Sequence, residues 1–378
     1  MLAKKLNGIL LTTVYNYSMS ESTPIVIRTL RLRVKDKHAK MLCAQAREVN
    51  FVWNFINELS EKHTRRTAKF FSAYDLNAYT TGASKEGLSL HSQTVQAINE
   101  EFVARRIQFR KLRLSWRKSG GTRRSLGWIP IKKSVIRYRN GQLHYQGYAM
   151  GLWDSYGLAD YELGSGTFSE DSRGRWYFNT TVKVEKKPNA ATQSIGIDLG
   201  LKECAVTSDG QRLVGRHYRK LESKLGIAQR ANKKLEVKNL HAKIKNRRKD
   251  GLHKFSTMLT QEYGAIFVGN VSSSKLIKTK MAKSTLDAGW SSLKTMLEYK
   301  SDCAGVMYEE VNESYTTQTC SSCGEKPPSR PKGIAGLGIR EWVCSDCGTV
   351  HDRDVNAAKN ILALGHERLA VGIPSLSQ

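Results

Sequence analysis

No apolar run in this chain approaches the ~20 residues that a membrane-spanning helix needs, so no membrane segment is expected. Acidic side chains are scarce as well: 34 Asp and Glu stand against 61 Lys and Arg, a net charge of +27. That surplus is far beyond what solubility requires and points to a polyanionic partner, most simply nucleic acid, with an anionic membrane surface the weaker candidate. Cysteine is limited to seven residues, with nothing resembling a secreted disulfide framework, which implies an intracellular protein. The opening MLAKKLNGILLTTVYNYSMS has a basic start and a short apolar run but no A-x-A cleavage site. It reads as a loosely ordered extension rather than a signal peptide. With 378 residues the chain can hold two or three domains and a sizeable core.

What is present is organised around residues 305–362. Two identical CxxCG knuckles, Cys320/Cys323 and Cys344/Cys347, carry four of the seven cysteines. Each glycine lets the backbone turn its two thiolates toward one point, and four soft ligands in that spacing specify a closed tetrahedral zinc site. The alternative, four reduced core cysteines, would require the same knuckle twice by chance. A structural ion worth about 10–16 kcal/mol can hold so small a module folded. The Pro- and Gly-rich residues 327–338 read as a loop inside it. Next comes Asp352-Arg353-Asp354-Val355-Asn356, a helix start whose carboxylates are ordinarily caps.

Upstream, IVIRTLRLRV (25–34) alternates apolar and basic residues and predicts a strand with a cationic face. Apolar residues at helical spacing predict helices over 37–60 and 92–116. The second carries Arg105, Arg106, Arg110, Lys111 and Arg113, a solvated face or a phosphate contact. Residues 125–187 change to strands, with hairpins about Asn140-Gly141 and Arg173-Gly174. With 25–34 they suggest a small β-barrel interrupted by helices. Tyr138, Tyr145, Trp176 and Tyr177 could stack bases, although barrel packing is the commoner use of such aromatics.

After a linker at 188–193, SIGIDLGLKECAVTSDG reads as strand, tight turn, strand, turn, with Asp198 in an apolar strand. A carboxylate there is costly unless it meets a metal or another cation, or faces water at an edge. Residues 216–254 form a long helical region with Leu221, Leu225, Ala228, Leu235, Leu240 and Ile244 on a stripe. Its 14 Lys and Arg, among them Arg247, Arg248 and Lys254, face only three acids, as a phosphate-tracking surface would. AIFV (265–268) is a short buried strand, 286–304 a helix with Trp290, Leu293, Met296 and Leu297 inward, and 305–311 another strand. Strand-borne Asp198, a second acid near a later strand and Asp354 at a helix head are what two-metal phosphodiester cleavage requires, with carboxylates bridging two Mg2+ ions.

GIDLG, IKNRRKDGLHKFS, YTTQTCSSCG, CSDCG and HDRDVNAAKNIL, in that order, resemble the RuvC-like nuclease and zinc ribbon of the TnpB family, transposon-encoded relatives of type V CRISPR effectors. The resemblance is specific over 194–362 and weaker over 23–187. It implies an α/β RNase H-like (RuvC) nuclease domain (194–318 and 349–365) with an inserted zinc ribbon (319–348). It further implies an N-terminal β-barrel (23–36 and 117–187) interrupted by a helical recognition region (37–116), an extension at 1–22 and a tail at 366–378. By the same resemblance a transposon-derived guide RNA pairs with double-stranded target DNA beside a short adjacent motif, and Mg2+ supports cleavage, inside a prokaryotic cell. The guide RNA thus counts with Zn2+ and Mg2+ among the expected cofactors.

One departure matters. The family's second acid closes the strand that here reads IFVGN, so Gly269 stands in its place. Asp198 and Asp354 match the first and third acids, and Asp352 is the weaker ligand candidate. Some relatives, the Fanzor proteins among them, look as though they moved the lost acid to just before the YTS-type motif. Glu313 lies there, 44 residues after Gly269, whereas Glu309 and Glu310 are ordinary solvent-face candidates of the strand. If Glu313 is only a solvated loop carboxylate, the resemblance points instead to nuclease-dead TnpB-like proteins that bind DNA with a guide and repress transcription. A guide-independent transposase or resolvase would share the nuclease fold.

Overall fold

The computed structural model describes residues 25–83, 85–271, 282–333 and 335–370. The N-terminal extension and most of the expected tail lie outside those residues. The expected 366–378 tail begins too early, because the last helix continues to Ala370.

β1 (Ile25–Val34) is the central strand of the first half. Its alternation buries Leu30, Leu32 and Val34 and turns Arg31 outward, but Ile25 and Ile27 are exposed where the strand overhangs the core. Three helices follow, α1 (Ala39–Thr67), α2 (Ala73–Thr80) and α3 (Ser92–Phe109). α1 uses polar residues as latches. Asn54 and Asn57 each bond the backbone N–H and C=O of one residue in the following segment, Arg117 and Leu114 respectively, so two amide side chains act as a short strand would. The helix expected to run to Trp116 stops at Phe109, because Arg110 turns left-handed (φ 49°) and sends its N–H back to Arg106 and Ile107.

The chain then returns to β1's sheet through β2 (Trp128–Ile131), β3 (Ile136–Arg139), β4 (Gln142–Tyr145), β5 (Tyr148–Trp153), β6 (Leu163–Glu170) and β7 (Trp176–Glu185). The seven strands, ordered β2-β6-β7-β1-β5-β4-β3, curl into a nearly closed barrel. Its hairpins turn at Asn140-Gly141, both left-handed, and at Gly174. Tyr145 and Trp176 are barrel core, 1% and 2% exposed, so neither is a base-stacking platform. The Tyr177 ring is covered by the Arg31 guanidinium at 3.9 Å.

The second half is a five-stranded sheet ordered β10-β9-β8-β11-β12. β8 (Ser194–Asp198), β9 (Glu203–Thr207) and β10 (Arg212–Val214) form an antiparallel meander, while β11 (Ala265–Gly269) and β12 (Met307–Val311) run parallel to β8. The 216–254 stretch is two helices, α4 (Glu222–Arg230) and α5 (Lys234–Glu262), separated by a left-handed Asn232. Leu235, placed on the apolar stripe by spacing, sits just past that break and is exposed. The expected helix over 286–304 likewise divides at Gly289 (φ 71°) into α6 (Ala282–Ala288) and α7 (Trp290–Ala304). α5 and α7 bury one face of the sheet, where Ile195 and Ile197 meet Leu252, Leu259, Leu293 and Leu297. β13 (Glu341–Val343) and β14 (Val350–Asp352) pair within the cysteine module, and α8 (Arg353–Ala370) crosses the other face. That crossing explains Gly196: a Cβ there would strike the Ala358 carbonyl oxygen and come within 2.7 Å of the Leu362 nitrogen.

Arg106 leaves the set of nucleic-acid candidates. It is 5% exposed on α3, donates to Ser60 Oγ and the Phe71 carbonyl, and lies over the Phe70 ring. Arg106→Met should cost about 2–3 kcal/mol by orphaning those acceptors, read as a fall in thermal melting temperature. Arg110→Ala, at an exposed position, should leave the melting temperature nearly unchanged.

Candidate nuclease centre and cysteine module

Asp198 ends β8 next to its parallel neighbour β11, whose last residue, Gly269, stands in register with Val311 of β12. Two residues beyond β12, Glu313 begins a turn in which its carbonyl accepts the N–H and hydroxyl of Thr316. That turn sends the Glu313 side chain back over the sheet edge. A Cβ built on Gly269 would overlap Glu313 Oε2 and lie 3.3 Å from Glu313 Cβ. The missing side chain at 269 thus leaves the space that the Glu313 carboxylate fills.

Asp354 comes from the first turn of α8, and its carboxylate faces the same space. Burial, then the negative charges of Asp354 and Glu313, push the Asp198 carboxyl up to about 7, against the opposing pull of Arg353 and Arg340. Burial also raises Glu313, which Lys294 and an amide hydrogen bond from Val271 partly offset. Asp198, Glu313 and Asp354 therefore lie near enough for the charges of the last two to act on the first, and together they could hold a cation. They are not drawn onto one point: among the described residues, only the four cysteines bring all their ligand atoms within 4.8 Å of one another.

Neighbouring acids have other work. Asp352 accepts the amides of Asp354 (3.0 Å) and Val355 (2.9 Å) and pairs with Arg212 at 2.7 Å, so it is the helix cap. Glu309 pairs with Arg368 and Glu310 with Lys294, each at 2.6 Å. The residue that sequence reasoning missed is Arg340. It grips Asp354 with Nη1 at 3.0 and 2.7 Å from the two carboxylate oxygens. It follows a Gly-rich loop and carries no spacing signal of its own.

The cysteine module repeats one geometry twice. Gly324 and Gly348, at φ 80° and 74°, donate to the carbonyls of Cys320 and Cys344, whose own amides bond Glu325 and Thr349. The Cys320–Cys347 and Cys323–Cys344 sulfur pairs are 3.6 and 3.8 Å apart. Four sulfurs at Zn–S distances of about 2.3 Å sit roughly 3.8 Å apart in a tetrahedron, so these two pairs already have the spacing a zinc ion would need.

Of the basic candidates, Arg110 and Arg247 are exposed. Arg105 pairs with Glu101 and Gln108, Lys254 pairs with Asp250, and Arg248 donates to the Leu286 carbonyl.

Two segments of the chain match known families. Residues 177–280 match the OrfB_IS605 transposase family, and residues 290–361 match the Cas12f1-like TNB domain. A Streptomyces pristinaespiralis protein named as an RNA-guided DNA endonuclease is 35% identical over 64% of this chain and 63% of its own length. The Escherichia coli protein InsQ, named likewise, is 28% identical over 53% and 56%. TnpB-like protein L79 of Acanthamoeba polyphaga mimivirus is 27% identical over 52% and 42%. The chain resembles the TnpB family along both matched segments. It spans less than two thirds of the length of each of these TnpB-related proteins. A solved Cas12f1 in complex with sgRNA and target DNA shares the fold at a TM-score of 0.54 and 12% identity, covering 89% of this chain and 98% of that one. Among the described residues, no helix is long and apolar enough to cross a membrane.

The carboxylate cluster makes a pH-dependent prediction. Asp198 has a folded-state pKa raised from 3.8 to about 7, so its own contribution to the stability of the metal-free fold falls as pH rises from about 4 to about 7 and is constant above. Asp198→Asn should stabilise the fold in chelator at pH 8 by on the order of 1–3 kcal/mol, read as a higher melting temperature, and change it little near pH 4. Equal shifts at both pH values would contradict the clustering.

Proposed function

We propose that this chain is an RNA-guided DNA endonuclease of a transposon, cutting target DNA beside a short adjacent motif through an RNase H-like (RuvC) centre. Asp198, Glu313 and Asp354 would hold Mg2+, and Cys320, Cys323, Cys344 and Cys347 would hold a structural zinc. The observation that carries this reading is the Glu313 carboxylate over Gly269, the place of the family's second acid. Two-metal phosphodiester cleavage is the chemistry that three such carboxylates would support. Bound Mg2+ would supply activation of water and stabilisation of the leaving oxygen.

The chain's own groups do the rest. β8 and α8 hold Asp198 and Asp354 on rigid elements, and the turn after β12 holds Glu313. Arg340 keeps a permanent positive charge at the site, able to exchange its carboxylate partner for a phosphate oxygen. In this reading the barrel of β1 to β7 and the helices α1 to α3 are the wedge-like and recognition regions, and the guide RNA and target DNA lie along the basic surfaces. Relatives named as RNA-guided DNA endonucleases support the cutting function over guided repression without cleavage.

With guide RNA and Mg2+ supplied, Glu313→Gln should lower cleavage by about 100-fold or more while guided DNA binding stays nearly intact. Glu309→Gln and Glu310→Gln should do much less, since those carboxylates are engaged by Arg368 and Lys294. Wild-type rates in Glu313→Gln would overturn the site, and a wild type that binds guided DNA but never cuts would give the repressor reading precedence.

Nucleic-acid binding should also weaken steeply with salt, with a slope of roughly −0.9 per phosphate neutralised on duplex DNA. Arg247→Glu should lower RNA retention and the slope together without changing the melting temperature. Affinity that is flat in salt would contradict the phosphate-tracking surface.

A further inference from the structure

His351 opens the HDRDVNAAKNIL motif, and the proposed reaction gives it no role. It is 6% exposed on β14, opposite Trp342 of β13, and its ring lies 4.9 Å from the Trp342 ring. Its Nε2 is 3.0 Å from Cys320 Sγ. It is nevertheless not a member of the group whose ligand atoms all lie within 4.8 Å of one another. It is therefore outside the ligand set but in hydrogen-bond contact with one ligand. A thiolate on a metal can only accept, so the nitrogen facing it carries the proton and donates.

The position of His351 along the chain gives this contact a consequence. Asp352 follows it and caps the amides of Asp354 and Val355. Arg353 donates from its backbone to the Arg340 carbonyl (2.7 Å) and from its side chain to the Gly336 carbonyl (2.8 Å). One turn on, Asn356 accepts the Ser321 amide at 2.9 Å and donates to the Thr319 carbonyl at 2.7 Å. Asn360 donates to the same Thr319 carbonyl at 2.8 Å. The residue that touches the sulfur and the residue that faces Asp198 are thus three positions apart on a segment pinned at both ends to the cysteine module.

We propose that His351 is a positioning residue, whose N–H···S bond to Cys320 steadies the four-thiolate metal centre and ties its occupancy to the placement of Asp354 at the head of α8. Four thiolates on one divalent ion leave surplus negative charge on the sulfurs, and an N–H donor relieves it while fixing the ligand's direction. The inference rests on the zinc reading of the four cysteines.

The test uses the full chain loaded with Zn2+ or Co2+, with His351→Phe removing the donor and His351→Gln keeping an N–H. Zinc should pass to a competing chelator about 10- to 100-fold faster from His351→Phe than from wild type, with His351→Gln nearer wild type. In the Co2+ form, the thiolate-to-metal charge-transfer band should move to longer wavelength in His351→Phe. Extracting zinc from wild type should accelerate amide exchange at Asp354 and Val355 while leaving β8 and β11 protected. If His351→Phe fails to fold, His351→Gln carries the test, and a Gln variant that releases zinc as fast as the metal-binding variant Cys320→Ser overturns the proposal. Unchanged zinc release and an unchanged cobalt spectrum in a folded His351→Phe overturn it too, as does α8 exchange indifferent to zinc. A wild type that takes up neither metal defeats the zinc reading itself and the inference with it.

Discussion

Like charge held at one edge of a sheet is the constraint on which the second half of this protein depends. Asp198, Glu313 and Asp354 come from a strand end, a turn and a helix start, and the negative charge of the last two acts on the enclosed first. Left to themselves, such groups take up protons or move apart. They are kept together by packing on both faces of the sheet: α5 and α7 on one side, α8 on the other, with Gly196 allowing α8 to lie directly against β8. The cost of that convergence is what makes the edge a candidate cation site.

The cysteine module supports the same edge from outside. It supplies Arg340 to Asp354, receives the side chain of Arg353, and is held to α8 through Asn356 and Asn360. A small two-stranded ribbon has almost no apolar core of its own, here Cys320, Trp342 and Cys344. A metal on its four sulfurs would supply rigidity that this core does not. The cluster that could hold a structural metal and the carboxylates that could hold catalytic ones are therefore parts of one mechanical unit, joined through residues 351–356.

Much of this was legible from residue types. An acid in an apolar strand announced Asp198, since an unpaired carboxylate is costly there, whereas Asp354 at a helix head, where acids are ordinarily caps, stood out only beside the other acids and the motif around it. The twin CxxCG knuckles announced the sulfur cluster. Glu313 was legible only through family resemblance, because its role depends on the path of a turn that places it over a residue 44 positions earlier. Arg106 misled because a basic residue on a helix gives no sign of which way it points, and its acceptors, Ser60 and Phe71, lie in another part of the chain. The ends of α3 and α4 were missed for a common reason: left-handed turns at Arg110 and Asn232 stop them, without glycine or proline to mark the place. Arg340 was invisible because its partner is fixed by the fold of the module, with no periodicity to reveal it.

The central claim is that a carboxylate reaching over position 269 is what the site needs, whichever residue supplies it. The direct measurement is to move the acid: compare Mg2+-dependent, guide-directed cleavage by Glu313→Ala with that by the double variant Gly269→Glu/Glu313→Ala. Removing the Glu313 carboxylate frees the space into which a side chain introduced at Gly269 would project. The account predicts that Glu313→Ala is inactive and that the double variant recovers cleavage. A folded double variant as inactive as Glu313→Ala, or a Glu313→Ala protein that cuts like wild type, would contradict it.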